Sequence, residues 1–334
     1  MKKPTLEERI DRLNRASLRD VIEPATDVQG HVGSGQVVAD ELLSIHGLDV
    51  ELTAEQRAQL SREEIAAVFD LGIRFEALLM SGFCLHLATS VELRDPRTVY
   101  ALHEVGEETR HSRLFLQVIE QLQPTARNPL LGQQRFGRWL EKRADFAIMR
   151  RPALFNTLVL AGEEIPDLIQ KRAGEHPDTD PFLAAVNRYH RSEEARHVAF
   201  ARLRVAEVWR DATWGDRYTV RHVAPLIIYL LCHAFVHPGV YEVVGLPKWR
   251  TWRTVRRLPA RREFQYRTTR SVLAALIAGG AFRPGSIPRA WRRLCNVDRH
   301  GTPITARTTA PTAPLDSRRR HTDDVGLNRS RLSS

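Results

Sequence analysis

Two short repeats carry the chemistry of this chain: Glu107-Glu108-Thr109-Arg110-His111 and Glu193-Glu194-Ala195-Arg196-His197. In each, a glutamate and a histidine stand three residues apart, so on a helix both project from one face. A single Glu-x-x-His occurs by chance on many solvated helices, and the nearby arginines would suit plain charge patterning. Two copies are harder to obtain by accident, and each follows another acid at nearly equal distance. Glu76 lies 32 residues before Glu108, and Glu163 lies 31 residues before Glu194. One glutamate from each of two helices, with Glu-x-x-His from each of two others, is the carboxylate-bridged di-metal pattern of helical bundles. Four carboxylates nearly balance two divalent cations, and the set leaves coordination positions open for O2.

The neighbours of the two single acids argue for burial. Glu76 lies among Phe75, Ala77, Leu78 and Leu79, and Glu163 follows Leu158-Val159-Leu160-Ala161. An unpaired carboxylate in such a setting is costly unless it binds a cation. Two choices stay open at this level. Glu164 adjoins Glu163, and only one of them can face the interior; the 31-residue spacing favours Glu163. Glu92 competes with Glu76, but sits near a helix end at Asp95-Pro96. A seventh candidate donor is His190, four residues before Glu194 and so one turn away on the same face; the first repeat has Glu104 at that position. Arg110 and Arg196 adjoin the histidines, point to other faces, and read as salt-bridge partners. Met80, Phe83, Phe115, Leu160 and Phe200 lie within two turns of these donors and read as core first, pocket lining second.

At these residues the sequence resembles the p-aminobenzoate N-oxygenase family of di-iron enzymes, over roughly residues 55–240. The most diagnostic segment is His190-Arg191-Ser192-Glu193-Glu194-Ala195-Arg196-His197. The resemblance implies a ferritin-like fold and two iron ions, with a manganese-containing pair as the alternative. It implies Glu76, Glu108, His111, Glu163, Glu194 and His197 as six core metal ligands. His190 matches the additional histidine that separates this family from most ferritin-like proteins. No catalytic residue beyond the ligands is expected. The implied activity is that of an oxygenase using O2, a small-molecule substrate and an external electron donor, with N-oxygenation of an arylamine as its particular form. Other ferritin-like di-metal proteins share the six-ligand core: a hydroxylase or desaturase would differ in pocket shape, and a ferroxidase would take no organic substrate.

The elements that must position these residues are helices. Helical periodicity covers 54–90, 96–123, 134–148, 152–173 and 179–210, with Pro, Gly or Asp punctuating the gaps. Asp95-Pro96 supplies a cap and a first-turn proline, Gln123-Pro124 ends that helix, and His176-Pro177-Asp178 breaks the chain before the next. Residues 263–282 suit one more helix. Strand alternation and hairpin turns are not evident. The expected class is therefore all-α, a ferritin-like four-helix bundle with flanking helices. Its domain is expected at 54–285, after an N-terminal segment at 1–53 and before a disordered basic tail at 286–334.

Bulk properties exclude little and sharpen the rest. With 334 residues, 43% hydrophobic and 27% charged, the chain can bury a full core. The first thirty residues lack an apolar run, and three cysteines are too few for a disulfide framework, which favours a cytoplasmic protein. Of the net charge of +10, residues 286–334 hold ten Arg against four Asp, leaving about +4 for the body. Without aromatic residues among those arginines, specific nucleic-acid binding is not expected. The apolar run 223–236 falls short of the roughly 20 residues of a membrane span and reads as a buried or interfacial helix suited to a homodimer contact. His233 and His237 have i, i+4 spacing but lack a third ligand, and read as structural.

Overall fold

Four long helices, three of them opened by a side-chain cap and three by a first-turn proline, frame the protein, which a computed structural model describes over residues 4–19, 21–131, 143 and 145–304. Two helices precede them, α1 (Leu6–Arg19) and the single turn α2 (Pro24–Asp27). α3 (Ala54–Ala88) opens with a reciprocal cap: Thr53 Oγ1 accepts from the Gln56 N–H at 3.2 Å, and Gln56 Oε1 accepts from the Thr53 N–H at 2.9 Å. α4 (Pro96–Leu122) starts under Asp95, whose carboxylate accepts from the Arg97 N–H at 2.8 Å. It stops where Gln123 turns left-handed, with φ of 51°, ahead of Pro124. α5 (Pro152–Glu175) and α6 (Pro181–Arg210) also begin on prolines, and Asp180 caps α6 by accepting from the Phe182 and Leu183 N–H groups. The expected boundaries agree to within two residues for all four. The helix expected at 134–148 lies largely outside the described residues, of which 143 and 145–149 are helical.

α3 packs along α4, and α5 along α6, so two helical hairpins face each other across the interior. Neither α3, α4 nor α6 is strongly amphipathic, because acids and histidines interrupt their inward faces. α5 differs: from Ala153 to Glu163 every side chain is buried, which places it at the centre of the main apolar core. The isolated pairing of Val297 with Pro303 is the extent of β structure among the described residues.

Segments outside the bundle cover its open faces. α1 lies on α4 and α6, with Ile10 packed against Tyr100, Phe200 and Leu203. The backbone at Val37 ties the N-terminal segment to α3 and to the start of α6, through Ser61 Oγ at 3.0 Å and the Asp180 N–H at 2.9 Å. On the other side lie α7 (Trp214–His222), α8 (Ala224–Ala234), α9 (Gly239–Glu242), α10 (Lys248–Val255), α11 (Pro259–Ala278) and α12 (Arg289–Cys295). Of these, α7, α8 and α11 pack on α5. The helical stretch Trp214–Glu242 is long and apolar enough to cross a membrane by length and composition, and 61% of its most apolar window is buried inside the protein. Val220, Ala224, Ile228 and Cys232 form its inward face, while Leu226 and Leu230 are exposed.

One expectation needs correction. Composition places a tail from residue 286 onward, yet 286–304 are folded. Trp291 is fully buried and its indole donates to the Val220 carbonyl at 2.8 Å, with Ile287, Leu294 and Cys295 buried beside it. Apolar side chains on one face of a short helix outweigh the arginines around them, and a count of charges conceals that spacing. The remainder of the expected tail, 305–334, lies outside the described residues.

The approach of α5 to α3 depends on Gly162, where an added Cβ would lie 1.6 Å from Phe75 Cζ. Gly162→Ala is therefore expected to push the Phe75 ring aside, at a cost of about 1–3 kcal/mol in stability. A lowered urea midpoint with an unchanged slope would bear this out, and an unchanged midpoint would refute it.

Candidate metal centre

The seven predicted donors converge in the bundle interior. Glu76 comes from α3, Glu108 and His111 from α4, Glu163 from α5, and His190, Glu194 and His197 from α6; none is more than 5% exposed. Their donor atoms form three overlapping groups, within each of which all atoms lie within 4.8 Å of one another: Glu76, His111 and His190; Glu108, His111 and Glu194; and Glu108, Glu163 and His197 together with Glu104. The two alternative acids lie away from the cluster. Glu164 pairs with Arg202 at the edge of α5, and Glu92 sits exposed beyond the end of α3, accepting from the Arg94 N–H at 2.9 Å.

The repeats meet in a two-fold arrangement. Glu108 presents Oε2 to His111 Nδ1 at 3.1 Å and Oε1 to His197 Nδ1 at 3.2 Å. Glu194 does the same from the opposite helix, with Oε1 at 3.4 Å from His111 Nδ1 and Oε2 at 3.3 Å from His197 Nδ1. Each carboxylate thus spans the space between two imidazoles. The remaining donors flank these two positions. His190 Nε2 stands 3.6 Å from Glu76 Oε1 and 3.2 Å from Glu194 Oε1, on the His111 side. Glu163 stands on the His197 side.

Which nitrogen of each ring faces inward is fixed from behind. His111 Nε2 lies 2.9 Å from Glu193, and His197 Nε2 lies 2.7 Å from Glu107. The supports cross: the first acid of each Glu-Glu doublet holds the histidine of the other repeat. Donation from Nε2 to these carboxylates turns both Nδ1 atoms toward the centre. His190 is held the other way round, with Nδ1 at 2.9 Å from Gln170 Oε1 and Nε2 inward. Arg196 pairs with Glu107 at 3.1 Å and Glu193 at 3.5 Å, and Arg110 with Glu193 at 3.6 Å, which is the salt-bridge role expected of both arginines. Tyr189 donates to Glu193 at 3.0 Å, and Ser112 donates to Glu76. Sequence reading missed Glu107, Glu193 and Gln170. The signals were present: the acid doublet occurs in both repeats, and Gln170 lies two helical turns after Glu163.

Electrostatics shows what the cluster lacks. Burial alone would lower the His111 pKa, but its hydrogen bonds to Glu108 and Glu193 outweigh that and raise it to about 10. His197 is also raised well above its usual value, by Glu194, Glu104 and Glu108, against the same burial. Burial pushes Glu163 well above the usual carboxylate range, and the charge on Glu194 adds to it. For Glu194 burial acts in the same sense, but His197 and His190 hold it well below that range. Protons thus occupy places where cations would compensate the carboxylates. His190 Nε2, His197 Nδ1 and Glu194 Oε2 are buried without a hydrogen-bond partner, all directed at the cluster. This donor set, oxygen with some imidazole, fits a pair of first-row transition-metal ions.

A cavity of about 40 Å³ adjoins the cluster on the Glu76 and His190 side. Beyond the acids, His190 and Gln170, its walls are apolar: Phe69, Phe75 and Phe115 from the bundle, and Leu231 and Phe235 from the region of α8. Of the side chains expected near the pocket, Phe115 lines this cavity; Phe83 and Leu160 are core, and Phe200 stacks on Tyr100. His233 and His237 are buried outside the cluster, and His237 Nδ1 accepts from the Gly239 N–H at 3.1 Å.

A ferritin-like bundle with buried Glu/His clusters fit for metal ions is the class that fold and site define. More narrowly, the chain belongs to the p-aminobenzoate N-oxygenase AurF family, whose model matches residues 3–278. This is a family of di-iron oxygenases. The chain is also similar to the uncharacterized proteins Mb0909 of Mycobacterium bovis and Rv0885 of Mycobacterium tuberculosis, each 26% identical over 253 residues, covering 72% of this chain and 73% of theirs. No solved structure matches significantly.

Two outcomes are expected from this geometry. Glu107→Gln and Glu193→Gln should each weaken metal binding about 10–100-fold while leaving stoichiometry unchanged, because they release a ring rather than remove a donor. Equilibrium dialysis of each variant against the wild type measures this. Because His111 and His197 hold protons that a metal ion must displace, affinity should strengthen as pH rises toward about 10. Calorimetry at about pH 6.5 and about pH 8.5, in buffers of different ionisation heat, should show proton release with tighter binding at the higher pH.

Proposed function

We propose that this protein is an O2-dependent di-iron oxygenase whose metals are held by Glu76, Glu108, His111, Glu163, His190, Glu194 and His197. The observation that carries this reading is the placement of Glu108 and Glu194, each with one oxygen toward His111 Nδ1 and the other toward His197 Nδ1. Carboxylates so placed would bridge two ions, and few other arrangements make sense of two acids facing the same two rings. When bound, such a pair supplies the reductive activation of O2, with electrons from an external donor.

The chain's own residues do the rest. Glu193, Glu107 and Gln170 lock the three imidazoles, so the inward nitrogens cannot rotate away. Arg110 and Arg196 pair with the supporting acids; Glu107 is held at about 2, His197 and Arg196 outweighing burial, and Glu193 is held below the usual carboxylate range by His111 against its burial. Phe69, Phe75, Phe115 and Phe235 exclude water from the open side of the cluster. Those rings also favour a small organic substrate over aqueous iron, since an iron-storing ferroxidase needs a polar route for cations and these walls are aromatic and aliphatic. A planar arylamine matches them, and N-oxygenation of such a substrate is the particular activity we infer. At about 40 Å³ the cavity holds only a few water-sized molecules, so an arylamine must displace a wall, with Leu231 and Phe235 the pieces outside the bundle.

The test is metal content and spectrum of protein produced with iron, before and after reduction and exposure to O2, alongside Glu194→Ala and His190→Ala. About two irons per chain are expected, with an O2-dependent absorption that is lost in Glu194→Ala. Arylamines are then assayed for hydroxylamine and nitro products. A wild type that is metal-free, yet equally helical and stable, would defeat the di-iron reading. Two irons with turnover of other substrates but no arylamine would defeat only the N-oxygenation.

A further inference from the structure

The two halves of the centre match closely except at one position. On α6, His190 stands four residues before Glu194; on α4 the same register, four residues before Glu108, holds Glu104. Glu104 is fully buried, and neither of its carboxylate oxygens has a hydrogen-bond partner. Its donor atom lies within 4.8 Å of those of Glu108, Glu163 and His197. A buried carboxyl group with no hydrogen-bond partner at either oxygen is costly, and among the described residues no cationic side chain lies at ion-pair contact with it, His197 acting on it from farther off. Among the described acids of the cluster, Glu104 alone has both oxygens orphaned in this way.

The balance of donors points the same way. On the His111 side stand His111, His190 and Glu76, and on the His197 side stand His197 and Glu163, with Glu108 and Glu194 between them. Without Glu104 the second position has one side chain fewer than the first. With it the two are equal in number and different in kind.

We propose that Glu104 is an eighth metal donor, the counterpart of His190, serving the position nearest His197. The inference rests on the di-metal reading above. It makes one position rich in nitrogen and the other rich in oxygen. Imidazole suits iron, whereas carboxylate oxygen suits manganese, so Mn2+ in competition with Fe2+ collects at the Glu104 position.

Full-length wild type, Glu104→Gln and Glu104→His are titrated without O2, first with Fe2+ alone and then with Mn2+ alone, following ions bound and their affinities. Thermal melts of the metal-free forms check that each variant folds. The wild type binds two ions per chain. Glu104→Gln keeps one at its original affinity and loses at least about tenfold on the other; Glu104→His restores the second for Fe2+ more than for Mn2+. Crystals of wild type loaded with both metals, read by anomalous scattering at the two absorption edges, place manganese within bonding distance of Glu104. This last measurement stands even where a variant fails to fold. Equal two-ion binding in wild type and Glu104→Gln, or Glu104 turned away from both ions in the crystal, overturns the inference and leaves the di-metal reading intact. A folded wild type that binds neither ion overturns both.

Discussion

Seven carboxylates gathered in one apolar interior repel one another, and everything around them answers that repulsion. Glu76, Glu104, Glu107, Glu108, Glu163, Glu193 and Glu194 are all nearly inaccessible to water. At about 4 Å, two like charges in a protein setting oppose each other by about 4 kcal/mol at an effective dielectric of about 20. Two arginines and three histidines lie among them, and protons raise the balance further, as the upward shifts of His111, His197 and Glu163 show. A cluster this charged would hydrate and come apart if its walls could yield. Long helices on four sides, and a continuous apolar stretch of α5 behind Glu163, keep them from yielding.

The flanking elements serve the same end. A four-helix bundle alone exposes the outer face of each helix, and α5 has no polar face to expose between Ala153 and Glu163. α7, α8 and α11 cover it. The N-terminal segment closes the opposite side, through Ile10 on Tyr100 and Phe200 and through the tie at Val37. The basic stretch at 286–304 joins this cover by burying Trp291.

The four bundle helices, and the inward placement of the seven candidate donors, were legible in the sequence because they rest on local rules and on the spacing between repeats. Asp95-Pro96, Gln123-Pro124 and His176-Pro177-Asp178 mark helix ends by chain chemistry alone, and Glu-x-x-His specifies a shared face by the helix period. What depended on partners from elsewhere in the chain was harder to see. α1 has a clear amphipathic face, but nothing within it tells that Tyr100 and Phe200 lie opposite. Glu107 adjoins Glu108 and would seem to point elsewhere; its role appears only once α6 brings His197 against it. Trp291 sits in a run that composition reads as tail, and only the Val220 carbonyl and the core beneath explain its burial. Glu104 was visible as the position matching His190, yet one carboxylate among many gives no sign of being orphaned until its surroundings are known.

The crossed supports bear on ancestry. Each hairpin supplies a Glu-x-x-His and a single acid, but the carboxylate that steadies its histidine comes from the other hairpin. A lone hairpin of this kind has an unsupported ring and half a centre, and becomes complete only against a second copy of itself. Duplication and fusion of such a self-pairing unit leave the pattern found here: two similar halves, reciprocal in their support. Once joined in one chain, the halves no longer have to stay identical, and the divergence of residue 104 from residue 190 is a change that a symmetric pair of separate chains could not make.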